Sequence, residues 1–298
     1  MSTRLNSAFT GEGPPDRRLL IRSVPSLAAR HQYQPHVRDV VLTHATLRVA
    51  EAGSGPPLLL VNGIGAGFQT WWPLARRLSQ SRRLIMFDAP GAGGSPQLRW
   101  PERMPGLARL VVELCDALGE TQVDVLGYSW GGVLAQQLAH DAPQRVRRLA
   151  LASTTPGLGG RLPSPAVLAL VSSPLPYLSR TYLTRIAPLV YGGEWRRGGA
   201  TAPRELARWL EHSPNLIGHV QQLYAISWWT SLPWLHNVTA PTLVLSGTGD
   251  PLVPVQNAHL LARQIPRARL ELIPGGGHFW ILEQPEASAA LVEEFLSG

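Results

Sequence analysis

A chain of 298 residues with 44% hydrophobic and 16% charged residues has the length and balance of one catalytic domain carrying an insertion, which excludes wholesale disorder. All 27 basic residues behind the formal charge of +7 are Arg, scattered as pairs with no nucleic-acid motif beside them, so nucleic acid is excluded as a partner. The apolar stretch 162–178 is broken by Pro163, Pro165, Pro174 and Pro176, the first 35 residues hold no apolar run with a cleavage site, and Cys115 is the single cysteine; a cytoplasmic protein with no transmembrane segment, secretory signal or intrachain disulfide is expected.

Residues 1–35 are polar and without sustained periodicity, and read as an N-terminal extension outside the core, free to be mobile. From about residue 38 two β-like runs, VRDVVLT and ATLRVAEAG, precede the apolar run PPLLLVNG, which has the length and flanks of a buried strand. Helical and strand patterns then alternate: TWWPLARRLSQ, RRLIMFDAPG, GLARLVVELCDALG, QVDVLGYS, GGVLAQQLAHDAP and VRRLALAST. Such alternation predicts an α/β fold, a mostly parallel sheet flanked by helices. Between 155 and 238 the rhythm stops, and the helical candidates LSRTYLTRIAPLVYG, PRELARWLEH and IGHVQQLYAISWW follow one another. The rhythm resumes with PTLVLSG, VQNAHLLARQIP, ARLELIPGG and PEASAALVEEFL. Residues 36–154 and 239–298 therefore read as one core, and 155–238 as a helical cap inserted into it.

Gly127-Tyr128-Ser129-Trp130-Gly131 spells G-x-S-x-G between a strand pattern and a helix pattern, the setting in which that motif holds a nucleophilic serine on a tight turn. A serine hydroxyl needs a base, and the base needs an acid to hold its tautomer. His278 follows a candidate strand in IPGGGHFW near the C-terminus, and Asp250 closes PTLVLSGTGDP directly after another. The chain order Ser, Asp, His is the one that an α/β-hydrolase requires. The bland alternatives are a serine in an ordinary β-to-α turn, an exposed loop imidazole and a turn-forming Asp before Pro251; together in this order they fit the sequence less well. VNGIGAG ends a strand and opens a helix, aiming the Ile64 backbone N–H, opposite that of Trp130, at a developing oxyanion. The same segment, with Asp88 after the next strand, also resembles a dinucleotide-binding unit, but Phe68 stands where a third glycine is required. The chemistry needs no metal and no organic cofactor. Trp195, Trp209, Trp228, Trp229 and Trp234 fall inside or at the edge of the insertion; Trp228 and Trp229 are the candidate substrate-binding pair.

Several segments carry a family resemblance: VNGIGAG, FDAPGAGGS, PGLARL and GYSWGGVLAQQLA in the first half, then RIAPLVYGGEWRR, WTSLPWLHNV, PTLVLSGTGDPLVP and ARQIPRARLELIPGGGHFWI. They resemble the intracellular depolymerases of medium-chain-length polyhydroxyalkanoates, α/β-hydrolases that digest stored polyester, over about residues 57–283. The cap segments matter most, since catalytic motifs are shared across the fold while cap sequences follow the substrate. The resemblance implies a triad at Ser129, Asp250 and His278, a polyester or small ester as substrate, and a place in the cytoplasm at the storage-granule surface. Two departures stand out: a longer N-terminal extension, and three glycines before His278 where acidic residues are usual. A soluble-ester or lactone carboxylesterase, a cofactor-free perhydrolase or a C–C hydrolase would use the same triad. A non-catalytic granule-binding or receptor protein is the alternative from another class.

Overall fold

Apolar runs too continuous for a half-exposed surface become the inner strands of one sheet. The structure is a computed structural model and describes residues 34–172, 180–198 and 216–298. The expected extension, but for its last two residues, the helical candidate PRELARWLEH and Trp209 lie outside the described residues. The strands are β1 (His36–Val41), β2 (Thr46–Ala52), β3 (Pro57–Val61), β4 (Arg83–Phe87), β5 (Val123–Tyr128), β6 (Val146–Ala152), β7 (Thr242–Gly247) and β8 (Ala268–Ile273). Their order across the sheet is β1-β2-β4-β3-β5-β6-β7-β8. β1 pairs with β2 and β2 with β4 antiparallel, and every later pair is parallel. This is the mostly parallel α/β sheet that the alternation predicts. β5 and β7 are buried at every residue, as strands covered on both faces must be.

The helices between core strands are α1 (Trp72–Leu78), preceded by a 3₁₀ turn Phe68–Trp71, α2 (Met104–Ala117) and α3 (Trp130–Asp141). α2 buries Leu107, Val111, Leu114 and Cys115 on one face, the spacing that an amphipathic helix on a sheet requires. Burial pushes the Cys115 thiol up to about 11, the inert thiol expected of a core position. Between β6 and β7 come α4 (Pro165–Ser172), α5 (Arg180–Tyr191), α6 (Gly193–Arg197) and α7 (Leu216–Ile226). Pro165 begins α4 rather than breaking it, because a first-turn proline has no N–H to lose. The chain ends with α8 (Gln256–Gln264), α9 (Trp280–Glu283) and α10 (Pro285–Ser297). Among the described residues no helix is long and apolar enough to cross a membrane.

Parallel strands put all their C-terminal ends on one edge of the sheet, and the opposite edge is closed by charge. At the start of β5 the buried Asp124 carboxylate meets Arg82 Nη1 at 3.1 Å and also Arg147. Arg82 reaches on to Glu293 at 3.0 Å and to the Ser297 hydroxyl at 3.0 Å, both on α10. Burial holds the Asp124 carboxyl above its usual range despite these guanidinium partners.

Candidate active site

Ser129 stands between the last residue of β5 and the first of α3, with φ 54° and ψ −121°. A non-glycine residue in this region is strained, and the surroundings hold it there. The Ser129 N–H donates to the Ala152 carbonyl at 2.9 Å, and its carbonyl accepts the Thr154 hydroxyl at 2.7 Å. The turn packs so closely that a Cβ on Gly127 would lie 2.7 Å from the Gly132 Cα, and one on Gly131 would collide with the Val61 and Asn62 carbonyls. The two glycines of the motif are therefore steric necessities of the elbow.

Asp250 follows β7 and His278 follows β8, so their loops emerge on the same edge as Ser129. His278 Nε2 lies 3.1 Å from Ser129 Oγ, and His278 Nδ1 lies 2.8 Å from Asp250 Oδ2. Asp250 Oδ1 accepts the N–H groups of Leu252 and Val253 at 2.9 and 2.8 Å. The carboxylate is thus oriented by backbone on one side and faces the imidazole on the other. The His278 loop is held from two directions: its N–H donates to the Tyr191 carbonyl at 2.7 Å, and its carbonyl accepts the Tyr128 hydroxyl at 3.1 Å. Burial pushes both the Tyr128 and Tyr191 phenols far above their usual range, so Tyr128 remains a neutral donor. Nothing in the sequence pointed to the Tyr191 carbonyl as the partner of the His278 N–H, because a backbone group carries no residue-type signal.

Ile64 sits in a turn after β3 in which the Ala66 N–H donates to the Gly63 carbonyl at 3.2 Å and Gly65 has φ +69°. Asn62 ties the first residue of that turn and the residue just beyond its last: its Oδ1 accepts the Gly63 N–H at 2.9 Å and its Nδ2 donates to the Gly67 carbonyl at 2.7 Å. Asp88, the residue on which a dinucleotide reading would rest, is wholly buried and accepts the N–H groups of Phe68 and Gly94 at 2.6 and 2.7 Å. It staples the two glycine-rich loops together.

Ser129, His278, Ile64 and Trp130 all border a cavity of about 550 Å³, within the range of small-molecule sites. Helices α4, α5 and α7 contribute its far wall through Leu168, Tyr191 and Leu223. His219, from α7, also lines it; burial lowers its pKa to about 4, so the imidazole is neutral at neutral pH. Trp228 and Trp229 both border the cavity but differ sharply: Trp228 has φ +64° and is 82% exposed, while Trp229 is 8% exposed and donates its indole N–H to Gln137 at 2.6 Å. Trp195 packs with Leu183, Ile186 and Val190, and Trp234 stacks on His140. These two are packing residues.

This geometry agrees with what the chain resembles. A family model described as alpha/beta hydrolase fold matches residues 56–285. A poly(3-hydroxyalkanoate) depolymerase from Ectopseudomonas oleovorans is 42% identical over 267 residues, 88% of this chain and 93% of that protein. Among solved structures, a hydrolase from Pseudomonas aeruginosa PA01 superposes with a TM-score of 0.75 at 26% identity, over 88% of this chain and 99% of its own. An enol-lactonase from Burkholderia xenovorans LB400 does so with a TM-score of 0.75 at 23% identity, over 88% and 100%, a likeness of fold alone. A serine on a strained β-to-α elbow, in hydrogen-bond reach of a histidine carried on the edge of the same parallel sheet, thus occurs in a chain that belongs to the α/β-hydrolase family.

Proposed function

We propose that this chain is a serine-dependent carboxylic ester hydrolase that depolymerises medium-chain-length poly(3-hydroxyalkanoate). The observation that carries the reading is the hydrogen-bonded array Ser129, His278, Asp250 opening into an apolar-walled cavity of about 550 Å³. The relationship to a poly(3-hydroxyalkanoate) depolymerase supplies the substrate class.

In this reading Ser129 Oγ attacks the ester carbonyl carbon while His278 Nε2 takes its proton, and Asp250 stabilises the imidazolium through Nδ1–H. The carbonyl oxygen becomes an oxyanion that receives the N–H groups of Ile64 and Trp130. Collapse of the tetrahedral species breaks the bond to the 3-hydroxyl oxygen of the neighbouring unit, which leaves as an alcohol with the proton from Nε2. Water, deprotonated by the same nitrogen, then attacks the acyl-enzyme and regenerates Ser129. Every proton in this cycle moves through His278, so no metal or organic cofactor enters it.

Residues between β6 and β7 act as the cap that receives the apolar side chains of the polymer, with Trp228 and Trp229 on its wall. An insoluble polyester has to be met at its surface. Leu158, Leu162, Leu168, Leu223 and Trp228 border the cavity and are also exposed to solvent. Apolar groups ringing an opening favour contact with an apolar surface, which supports action at the storage granule. The test is turnover on amorphous poly(3-hydroxyoctanoate), poly(3-hydroxybutyrate) and p-nitrophenyl esters, with Ser129→Ala as control. Release of 3-hydroxyoctanoate by the wild type alone is expected. Turnover of p-nitrophenyl esters with neither polymer attacked would return the chain to the soluble-ester carboxylesterases.

A further inference from the structure

Gln222 is buried in α7, in the segment between β6 and β7, and spends three of its polar groups on the core. Its side-chain Oε1 accepts the Gly65 N–H at 2.7 Å, and its Nε2 donates to the Pro90 carbonyl at 3.2 Å. Its backbone carbonyl accepts the indole N–H of Trp130 at 3.0 Å. None of these bonds is made to Ser129, Asp250 or His278. Two of them go instead to the short stretches that carry the Ile64 and Trp130 N–H groups, and the third goes to the loop after β4.

The turn Gly63–Ala66 has its hydrogen bond between the first and last residues and a positive φ at Gly65, as a type II turn does. Such a turn changes type by flipping its central peptide, here the one joining Ile64 to Gly65, which alters ψ at Ile64 and turns the Gly65 N–H to the opposite face. Asn62 ties the first residue of the turn, Gly63, and Gly67 just beyond its last. The central peptide is held by Gln222, from a helix that the chain reaches about 157 residues later. The same residue holds the Trp130 ring, so a displacement of α7 releases both stretches together.

We propose that Gln222 is a positioning residue that aligns the oxyanion donors and makes their alignment conditional on α7 being seated against the core. The proposal rests on the assignment of Ile64 and Trp130 as those donors. Gln222 touches neither substrate nor reacting atoms; it acts through the turn.

Gln222→Met keeps the length and removes both side-chain bonds, whereas Gln222→Glu keeps an acceptor for Gly65 and sets an oxygen against the Pro90 carbonyl. The rates to measure are those on p-nitrophenyl octanoate and on its thiono analogue, whose larger, weaker-accepting sulfur gains little from fixed N–H donors. All rates are taken per active serine, counted by fluorophosphonate labelling. Removing a whole oxyanion donor costs on the order of 10²–10³-fold in kcat; loosening one is expected to cost roughly 10- to 100-fold in kcat for Gln222→Met, with KM nearly unchanged. The preference for the oxygen ester over the thiono ester falls with it, and Gln222→Glu recovers part of both. A purely structural role would lower the count of active serines and leave that preference intact. A Met variant with wild-type kcat and preference per active serine overturns the proposal. If the wild type itself shows no preference, the donor assignment fails first, and the two failures are distinguishable.

Discussion

Two carboxylates are withdrawn from water at opposite ends of the same sheet, and their partners differ in kind. Asp124, at the start of β5, and Asp250, after β7, both have side chains with no exposed surface. Asp124 faces Arg82 and Arg147, guanidinium groups that stay charged at any pH the fold survives. Asp250 faces two backbone N–H groups and one imidazole, a partner that can pass a proton on to a third group. Burial is equal, so it is the partner that separates a fixed ion pair from the array proposed to cycle a proton. The edge with Arg82 ties β5 to the C-terminal helix α10; the edge with His278 opens on a cavity.

Substitution at the cavity edge sharpens this contrast most. Ser129→Ala and His278→Ala are each expected to lose roughly 10⁶-fold in kcat, and Asp250→Asn somewhat less, since groups acting as one unit fail together. Thermal melts of these variants should stay close to that of the wild type. Near-normal turnover by Asp250→Asn, measured on p-nitrophenyl octanoate, would remove Asp250 from the proposed array.

The opposite edge should show the reverse: stability lost and chemistry kept. Arg82→Met leaves Asp124 with Arg147 as its remaining hydrogen-bonded guanidinium and breaks the Arg82 hydrogen bonds to Glu293 and Ser297 on α10. Burial already holds the Asp124 carboxyl above its usual range, so losing a cation there is expected to cost about 3–5 kcal/mol in unfolding free energy. Denaturant melts measure it, and kcat per active serine should be unchanged. Trp229→Ala is expected to lose stability to a similar extent, about 3–5 kcal/mol, because its ring lies in the core, and since that ring also borders the cavity its kcat is expected to fall as well. A drop in kcat per active serine for Arg82→Met would show that the two ends of the sheet are coupled.

What the sequence disclosed follows from how locally each feature is dictated. The strand ending at Ser129 and the elbow after it are legible because five consecutive residues enforce them, and the α/β sheet because its inner strands are continuous apolar runs. Asp250 and His278 could be picked from strand ends, since parallel topology delivers those ends to one edge. Gln222 carried no such signal: a glutamine in the middle of a helix pattern looks like a solvated residue until the fold brings Gly65 and Trp130 to it. The Tyr191 carbonyl under the His278 N–H was invisible for the same reason. Trp228 and Trp229 read as an equivalent pair, yet a positive φ at the first sends one ring outward and leaves the other in the core. Backbone conformation of that sort is set by tertiary closure.

At the cavity wall formed by α4, α5 and α7 the sheet's two edges stop mattering, and under the proposed function substrate size takes over. Each methylene placed in an apolar cavity contributes about 0.8 kcal/mol, nearly a factor of four in kcat/KM where it is realised in the transition state. Esters of 3-hydroxy acids of about six to twelve carbons are therefore expected to outpace 3-hydroxybutyrate esters, with the gain ending where the cavity ends. A series of p-nitrophenyl esters measures the slope, and a maximum at two to four carbons would contradict it.

Trp228 gives the smallest and most selective effect. Its ring is 82% exposed although it borders the cavity, so truncating it removes little packing and unfolding free energy should move by no more than about 0.5 kcal/mol. What it takes away is one rigid aromatic face at the rim, against which only a chain long enough to reach the rim can lie. Loss of that contact is worth roughly 1 kcal/mol, or about five- to tenfold in kcat/KM, for an octanoyl or decanoyl ester. An acetyl ester ends close to Ser129 and should be cleaved at nearly the wild-type rate. The measurement is the ratio of the two kcat/KM values in Trp228→Ala against the wild type, with melts run alongside. Equal losses on both esters would place Trp228 among the packing residues, beside its neighbour Trp229, and leave the chain-length preference to the leucines of α4 and α7.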